Sequence, residues 1–301
     1  MADLPVRFHQ SVTFLPTRQA VPLAKACDDL GYGGIYISDH LFNPRQLESR
    51  YTYSVREDGA PGWESETPWP DPMCVISAMA SVTEHVTFTT GVYIAPARDL
   101  ITVAKSVATT AVLSDNRVRL GVGVGWCKEE FDQTGQDFAS RGKRLNEMIV
   151  ALRALWKGGW VEFHGEYYDV PECQMEPAPT APVPIIGGGH SPVALRRTAD
   201  LCDGWIAAGA YSEEEAWTHL KSLRAALAAA GRNDEDFTIY LSLNERPDVD
   251  MYRRFADVGV TDFVCAPWMF VTVDPAAPDD KALAERLGAV RWFADEIVAK
   301  V

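Results

Sequence analysis

Short runs rich in β-branched and aromatic residues alternate with helical patterns along almost the whole chain of 301 residues. The apolar runs occupy residues 6–14, 35–37, 86–95, 118–124, 184–186, 205–208, 237–243 and 263–266. Each run is followed by a segment with helical periodicity. Strands that are apolar on both faces are typical of a parallel sheet covered by helices. Eight such units in succession predict an α/β fold, a single closed (β/α)8 TIM barrel.

Two segments are too long for the ordinary connections of such a barrel, at about 41–72 and 157–183. We therefore expect one domain, 1–301, that carries two insertions. The first insertion follows the second strand, at the barrel face where catalytic residues lie, and it contains Phe42, Trp63 and other aromatic residues. We interpret it as a lid over a pocket. The alternative is an aromatic surface loop or a dimer contact.

The charge balance disfavours nucleic acid as a partner. The chain has 28 Lys+Arg against 42 Asp+Glu, a formal net charge of −14, and acidic proteins repel phosphate backbones. Six cysteines are scattered without zinc spacing, so neither a disulfide framework nor a zinc site is expected. Residues 1–5 lack the pattern of a secretory leader, and no apolar run reaches the roughly 18 residues of a membrane span. We expect a cytoplasmic protein that does not bind a membrane.

The tripeptide Ser38-Asp39-His40 ends the second predicted strand. A histidine in this position can serve as a general acid or base, because barrel strand ends point at the substrate. The alternative is a structural Asp-His pair at the start of the long loop. The residues alone leave both interpretations open.

Glycines mark the ends of three other strands. Gly91 ends the third strand, where a missing side chain permits close approach of a planar ligand or only a bulge. Residues 120–126 alternate glycine with apolar residues, without the spacing of a dinucleotide-binding fingerprint. The run Gly187-Gly188-Gly189-His190-Ser191 leads into a predicted helix N-terminus, which favours phosphate binding. A tight turn with a serine cap is the alternative there.

Taken together, these segments resemble the bacterial luciferase-like superfamily of flavin and deazaflavin oxidoreductases. The resemblance covers essentially the whole chain and is carried by residues 33–40, 90–92, 104–109 with 113–114, 120–126 with 129–131, 141–144 and 186–189. Within the superfamily, the chain is most similar to the branch assigned to coenzyme F420, an 8-hydroxy-5-deazaflavin hydride carrier.

The resemblance implies a luciferase-like TIM barrel, a homodimer, and a cofactor ring at the C-terminal mouth. A non-prolyl cis peptide, here between Gly91 and Val92, is expected behind the ring. His40 matches the histidine beside the reactive C5 and is the expected catalytic residue. The cofactor-binding residues implied by the resemblance are Asp39, Thr90, Gly91, Val92, Gly187, Gly188, Gly189 and His190.

The chain departs from the sugar-phosphate dehydrogenases of the superfamily at two positions. Trp126 stands where they have an acidic residue, and Pro44 stands where they have a tryptophan. A sugar phosphate is therefore not the expected substrate. Trp126, Phe42 and Trp63 are the expected substrate-pocket residues, and they favour a small apolar or aromatic molecule.

Four functions compete. The preferred one is F420-dependent hydride transfer with His40 as proton donor or acceptor. The second is a monooxygenase that uses reduced FMN and oxygen, and the third is a non-catalytic flavin-binding barrel. A metal-dependent hydrolase is disfavoured because the six histidines include no H-x-H or H-x-x-x-H pair, so no metal is expected. Glu129 and Glu130 are interpreted as first-turn helix residues favoured by the helix dipole rather than as acid-base groups.

Overall fold

The computed structural model describes residues 6–54, 56–233, 237–271 and 278–301. The expectation about a leader rests on residues 1–5, which lie outside the described residues. The strands in chain order are β1 Arg7–Ser11, β2 Gly34–Ile37, β3 Thr87–Thr90, β4 Val118–Val122, β5 Trp160–His164, β6 Asp169–Gln174, β7 Ile185–Gly188, β8 Gly204–Tyr211, β9 Thr238–Leu243 and β10 Asp262–Cys265.

Eight of these strands form a closed barrel in the order β1-β2-β3-β4-β7-β8-β9-β10. Every neighbouring pair is parallel, and the barrel closes where β1 pairs with β10, with Phe8 opposite Phe263. The predicted (β/α)8 architecture is confirmed. The α-helices are α1 Ala20–Asp29, α2 Pro72–Ala80, α3 Leu100–Leu113, α4 Lys128–Thr134, α5 Arg141–Leu155, α6 Pro192–Leu201, α7 Glu213–Ala229, α8 Val249–Ala256 and α9 Asp279–Phe293.

The second insertion contains a hairpin that the sequence analysis did not predict. Strands β5 and β6 pair antiparallel outside the barrel. The carboxylate of Glu147, on α5, accepts hydrogen bonds from the amides of Glu166, Tyr167 and Tyr168 at 3.0, 2.9 and 2.7 Å and thereby holds the turn. The alternation of residues 160–164, whose side chains are in turn exposed and half-buried, was the available signal for a strand.

A buried polar cluster lies where the first and last barrel strands meet. Asp262 is fully buried, and its carboxylate lies 2.7 Å from the Nε2 of His9 and 2.7 Å from the guanidinium of Arg7. Burial alone would raise the pKa of Asp262, but the hydrogen bonds from His9 and Arg7 hold that pKa well below its usual range. The cluster therefore joins β1 to β10 by charge as well as by the backbone ladder.

Three further features of the described residues concern membrane spans, metal sites and cysteines. In this part of the chain, no helix has both the length and the apolarity needed to cross a membrane. The same residues contain no group of three or more His, Cys, Asp or Glu side chains that could hold a metal ion. The six cysteines are all free.

Replacing Asp262 by alanine tests the contribution of this cluster to stability. The variant leaves His9 and Arg7 without their buried partner, and we expect the free energy of unfolding to fall by about 3–5 kcal/mol. Because the pKa of Asp262 is depressed in the folded state, its contribution is present above about pH 4 and is lost as the pH falls further. Urea unfolding measures the change.

The matched control is Asp132→Ala, which removes an exposed carboxylate paired with Lys128. We expect this control to unfold almost as the wild type does, since exposed ion pairs contribute little. A loss below about 1 kcal/mol for Asp262→Ala would contradict a stabilising role for the buried cluster.

Candidate active site

A cavity of about 960 Å³ opens at the C-terminal mouth of the barrel. It lies between the ends of the strands and the loop that joins β2 to α2. Most of the residues that were expected to form the site line this cavity, namely Asp39, His40, Trp63, Gly91, Val92, Trp126, Gly188, Gly189 and His190. The closed barrel thus brings side chains from distant parts of the sequence to one pocket.

Three of the expected residues do not line the cavity. Thr90 is fully buried, and its hydroxyl donates to the carbonyl of Gly121 at 2.8 Å. Gly187 is buried in β7 and leaves room for Thr198, whose Oγ1 would lie 2.1 Å from a Cβ at this position. Phe42 is half-buried in the loop after β2. Thr90 and Gly187 thus lie in the packing beneath the cavity.

The peptide between Gly91 and Val92 is cis, as expected from the resemblance. Tyr36 lies beneath it and donates from its hydroxyl to the carbonyl of Gly91 at 2.5 Å, while Ser38 donates to the same oxygen at 2.8 Å. Burial raises the pKa of Tyr36 to about 12, so its hydroxyl keeps the proton that it donates. A Cβ at Gly91 would lie 1.9 Å from the Tyr36 ring, so a side chain there would force the ring to move.

Asp39 forms a buried ion pair with Arg98, which the sequence did not indicate. The guanidinium reaches both carboxylate oxygens, at 2.6 and 2.8 Å, and the amide of Ile94 donates to one of them at 2.9 Å. Asp39 is 4% exposed and lines the cavity wall. The pair ties the end of β2 to the segment after β3 and neutralises a charge beside the pocket.

His40 lies inside a box of three indole rings. Its ring centroid is 4.7 Å from that of Trp69, 5.3 Å from Trp63 and 5.5 Å from Trp126. The imidazole is 8% exposed and lines the cavity. The box gives the neighbourhood of His40 an apolar character with a basic nitrogen in its middle.

Glu130 contacts His40, a partner that its interpretation as a first-turn helix residue did not include. It does lie in the first turn of α4, but it is fully buried and its Oε1 lies 2.8 Å from the Nδ1 of His40. The indole N–H of Trp126 faces the other ring nitrogen, Nε2, at 3.3 Å. No local sequence signal indicates this contact, because 90 positions separate the two residues.

The loop after β2 is anchored at the N-terminus of α4. Glu129 accepts hydrogen bonds from the amides of Glu48 and Ser49 at 2.7 and 3.0 Å, and Ser49 accepts from the amide of Lys128 at 2.9 Å. Burial alone would raise the pKa of Glu129, but these bonds lower it to about 2. The aromatic residues of the loop are therefore held over the cavity, as the lid interpretation expected.

The far side of the cavity carries the glycine run. Gly189 has φ +103°, a region that favours glycine, and its carbonyl accepts from the indole of Trp205 at 2.7 Å. Next to it, the Nδ1 of His190 lies 2.9 Å from the hydroxyl of Tyr211, and its ring stacks on His219 at 4.6 Å. Backbone and imidazole nitrogens thus meet at the start of α6.

Arg141 supplies a cation to the same cavity. Its guanidinium donates to the carbonyls of Gly125 at 3.1 Å and Phe138 at 2.8 Å and lies 3.7 Å from the Phe138 ring centroid. Within the described residues it forms no ion pair, unlike Arg98. Its charge is therefore available to an anionic ligand.

Comparison with known proteins now gives this geometry a context. The family model described as luciferase-like monooxygenase matches residues 4–244. An uncharacterized protein of Mycobacterium tuberculosis is 36% identical over 283 residues, which cover 93% of this chain and 95% of that protein. The F420-dependent glucose-6-phosphate dehydrogenase of Nakamurella multipartita is 28% identical, over 99% of this chain and 81% of its own.

A solved structure with the same fold is the coenzyme F420-dependent tetrahydromethanopterin reductase from Methanopyrus kandleri. It superposes with a TM-score of 0.71 over 98% of this chain and 99% of that chain, at 15% identity. At such low identity the similarity concerns the barrel architecture and leaves the ligand open.

The variant Gly91→Ala tests the packing beneath the cavity. Its Cβ would collide with the ring of Tyr36, and we expect the free energy of unfolding to fall by about 1–3 kcal/mol. Gly62→Ala is the control, because a Cβ there would meet no atom within 4 Å beyond the adjacent residues. Urea unfolding of both variants measures the difference, and equal stabilities would contradict the close approach of Tyr36 to Gly91.

Proposed function

The chain belongs to the luciferase-like monooxygenase family, and from this membership and the geometry of the cavity we propose that it is an F420-dependent oxidoreductase. The proposed reaction transfers hydride between the C5 of the deazaflavin and a small apolar or aromatic substrate. His40 gives or takes the accompanying proton. The observation that carries the proposal is the placement of His40 on the cavity wall, in the box of three tryptophans.

Val92 and three glycines from neighbouring strand ends line one wall of the cavity. A Cβ at Gly123 would lie 2.3 Å from the Val92 side chain, and one at Gly188 would lie 2.4 Å from it. A Cβ at Gly91 would force the ring of Tyr36 to move. These glycines therefore let the side chains of Val92 and Tyr36 pack closely against the backbone of the neighbouring strand ends. A wall of glycine and valine is apolar, so it suits the face of a deazaflavin ring and equally that of a flavin ring.

The opposite side fits an anionic cofactor tail. Gly188, Gly189 and His190 line the cavity at the N-terminus of α6, where N–H groups of the first helical turn lack helical partners. Arg141 adds a positive charge to the same cavity. These neutral and cationic donors can hold a phosphate despite the net charge of −14.

The chemistry divides between cofactor and protein. The deazaflavin, when bound, supplies a two-electron hydride carrier. The chain contributes the orientation of the ligands, the exclusion of water by the aromatic loop, and a proton site on the Nε2 of His40. Glu130 and Trp126 hold the imidazole in place from its two nitrogens.

The contacts of His40 support an apolar or aromatic substrate. Its ring neighbours are Trp63, Trp69 and Trp126, and these indoles offer flat apolar faces. The indole N–H of Trp126 also hydrogen-bonds to the imidazole. According to the resemblance, the sugar-phosphate dehydrogenases of the superfamily carry an acidic residue at this position.

The family name also covers the alternative of an FMN-dependent monooxygenase, which would use reduced flavin and oxygen. A non-catalytic flavin-binding barrel is the less favoured possibility, because such a protein has no need of an acid-base pair facing the cavity. We further propose, from the resemblance, that the protein is a cytoplasmic homodimer. Sedimentation equilibrium measures the oligomeric state.

Cofactor titration tests the proposal directly. We expect F420 to bind more tightly than FMN, as followed by the fluorescence of the deazaflavin or flavin ring. Arg141→Gln should weaken F420 binding by about tenfold to a hundredfold, because it removes a charged hydrogen-bond donor. Lys143→Gln, on an exposed position of the same helix, is the matched control and should bind F420 normally. Tighter binding of FMN, with oxygen consumption by the reduced flavin, would favour the monooxygenase instead.

The variant His40→Asn tests the proton-transfer role. With any substrate that the wild-type protein converts, we expect His40→Asn to lower kcat by about 10²–10⁴-fold and to retain the affinity for F420. His164→Asn on the exposed hairpin is the control and should keep the wild-type rate. Full turnover by His40→Asn would remove the imidazole from the proposed mechanism.

A further inference from the structure

We infer that Glu130 is a positioning residue that keeps the proton of neutral His40 on Nδ1, leaves Nε2 as a proton acceptor toward the cavity, and stabilises the imidazolium once Nε2 is protonated. The inference deepens the proposed function and rests on it in assigning that proton to the reaction. Its structural part, the control of the tautomer, concerns the ligand-free protein.

The tautomer of His40 follows from two N–H groups that can only donate, the amide of Leu41 and the indole of Trp126. The amide N–H of Leu41 donates to the Oε1 of Glu130 at 2.7 Å, so this oxygen is an acceptor. With Glu130 ionised, the same oxygen can only accept, so the Nδ1 of His40, 2.8 Å away, carries the hydrogen. On the other side, the indole N–H of Trp126 points at Nε2 and requires a lone pair there. Both contacts select the same neutral tautomer.

The bond to Trp126 is the weaker of the two contacts. It is 3.3 Å long, against 2.8 Å for the bond to Glu130. A substrate proton donor can thus replace the indole at Nε2 while the carboxylate continues to hold the ring. When Nε2 takes a proton, a new N–H bond forms as the substrate bond to hydrogen breaks. The resulting positive charge then faces the Glu130 carboxylate through the Nδ1–H.

Among the acidic residues near His40 in the described structure, Glu130 is the one that contacts the imidazole. Asp39, the preceding residue, is occupied by Arg98, and Glu129 is turned toward the loop amides. Cys127 contacts Glu129 rather than the imidazole, and burial raises the pKa of its thiol to about 12. The other ring neighbours of His40 in the described structure are indoles, which do not titrate.

Burial makes this arrangement sensitive to charge. Glu130 is fully buried, and its second oxygen, Oε2, has no hydrogen-bond partner among the described residues. A carboxylate that is removed from water and bonded through one oxygen is electrostatically undercompensated. A proton on Nε2 supplies the missing positive charge. Glu130 would thereby act on His40 as the carboxylate of a catalytic triad acts on its histidine, which it orients and stabilises in the charged form.

Two substitutions separate tautomer from charge. Glu130→Leu removes the acceptor, so the neutral ring is expected to move its proton to Nε2, and kcat should fall by about 10²–10⁴-fold. Glu130→Gln keeps an oxygen toward Nδ1, because the Leu41 N–H pins the amide orientation, but it removes the charge. We expect this variant to keep the tautomer, lose less kcat, and move the acid limb of the kcat profile to lower pH.

Nitrogen-15 NMR of the ligand-free protein reads the tautomer independently of turnover. The His40 signals are identified by their absence in His40→Asn. The wild type and Glu130→Gln should show hydrogen on Nδ1 at alkaline pH, and Glu130→Leu should show it on Nε2. Asp132→Asn, an exposed acid on the same helix, is the control and should alter neither the spectrum nor kcat.

The outcomes are distinguishable. An unchanged tautomer in Glu130→Leu, or an unshifted acid limb in Glu130→Gln, overturns the positioning role even where F420 binds as proposed. Failure of F420 to bind overturns the proposed function and leaves the NMR result in force. If Glu130→Leu does not fold, the isosteric Glu130→Gln still decides through its pH profile.

Discussion

The parallel pairing of β1 with β10 is the constraint on which the rest of the structure depends. It closes the sheet, so the carboxyl ends of all eight barrel strands meet at one mouth. Asp262 reinforces this closure through His9 and Arg7 inside the barrel wall. Without closure, the glycines after β7 and the histidine after β2 would not line the same cavity. The buried cluster of Asp262 thus lies at the N-terminal ends of the strands, and the cavity lies at their C-terminal ends.

At that mouth, buried charge is organised in pairs. Asp39 is paired with Arg98, which is always charged, whereas Glu130 contacts His40, which is charged only when protonated. The first pair fixes the end of β2, and the second is able to respond to a proton at the cavity. The tryptophans around His40 leave its imidazole 8% exposed, and electrostatic interactions are stronger at such buried positions than in water. The barrel fold supplies the cavity, and these local pairs set the distribution of charge in its wall.

Much of the architecture could be read from the chain, and the failures have identifiable causes. Apolar strands and helical periodicity predicted the barrel, and the cis peptide at Gly91 was expected from the resemblance. The hairpin formed by β5 and β6 was missed because it lies outside the barrel repeat and the alternation in β5 spans only 5 residues. The contact of Glu130 with His40 was not foreseen because an acid in a first helical turn already has a local explanation. Its actual partner lies 90 positions away.

Local patterning determined the number and order of the barrel units, the place of the long loop after β2, and the positions of His40 and the glycine runs. Those features follow from periodicity, turn residues and chain order, which act over a few residues. Only the tertiary structure decided which acid contacts His40, which arginine forms an ion pair and which does not, and which glycines line the cavity. These depend on side chains brought together by barrel closure, and no short-range preference encodes such contacts.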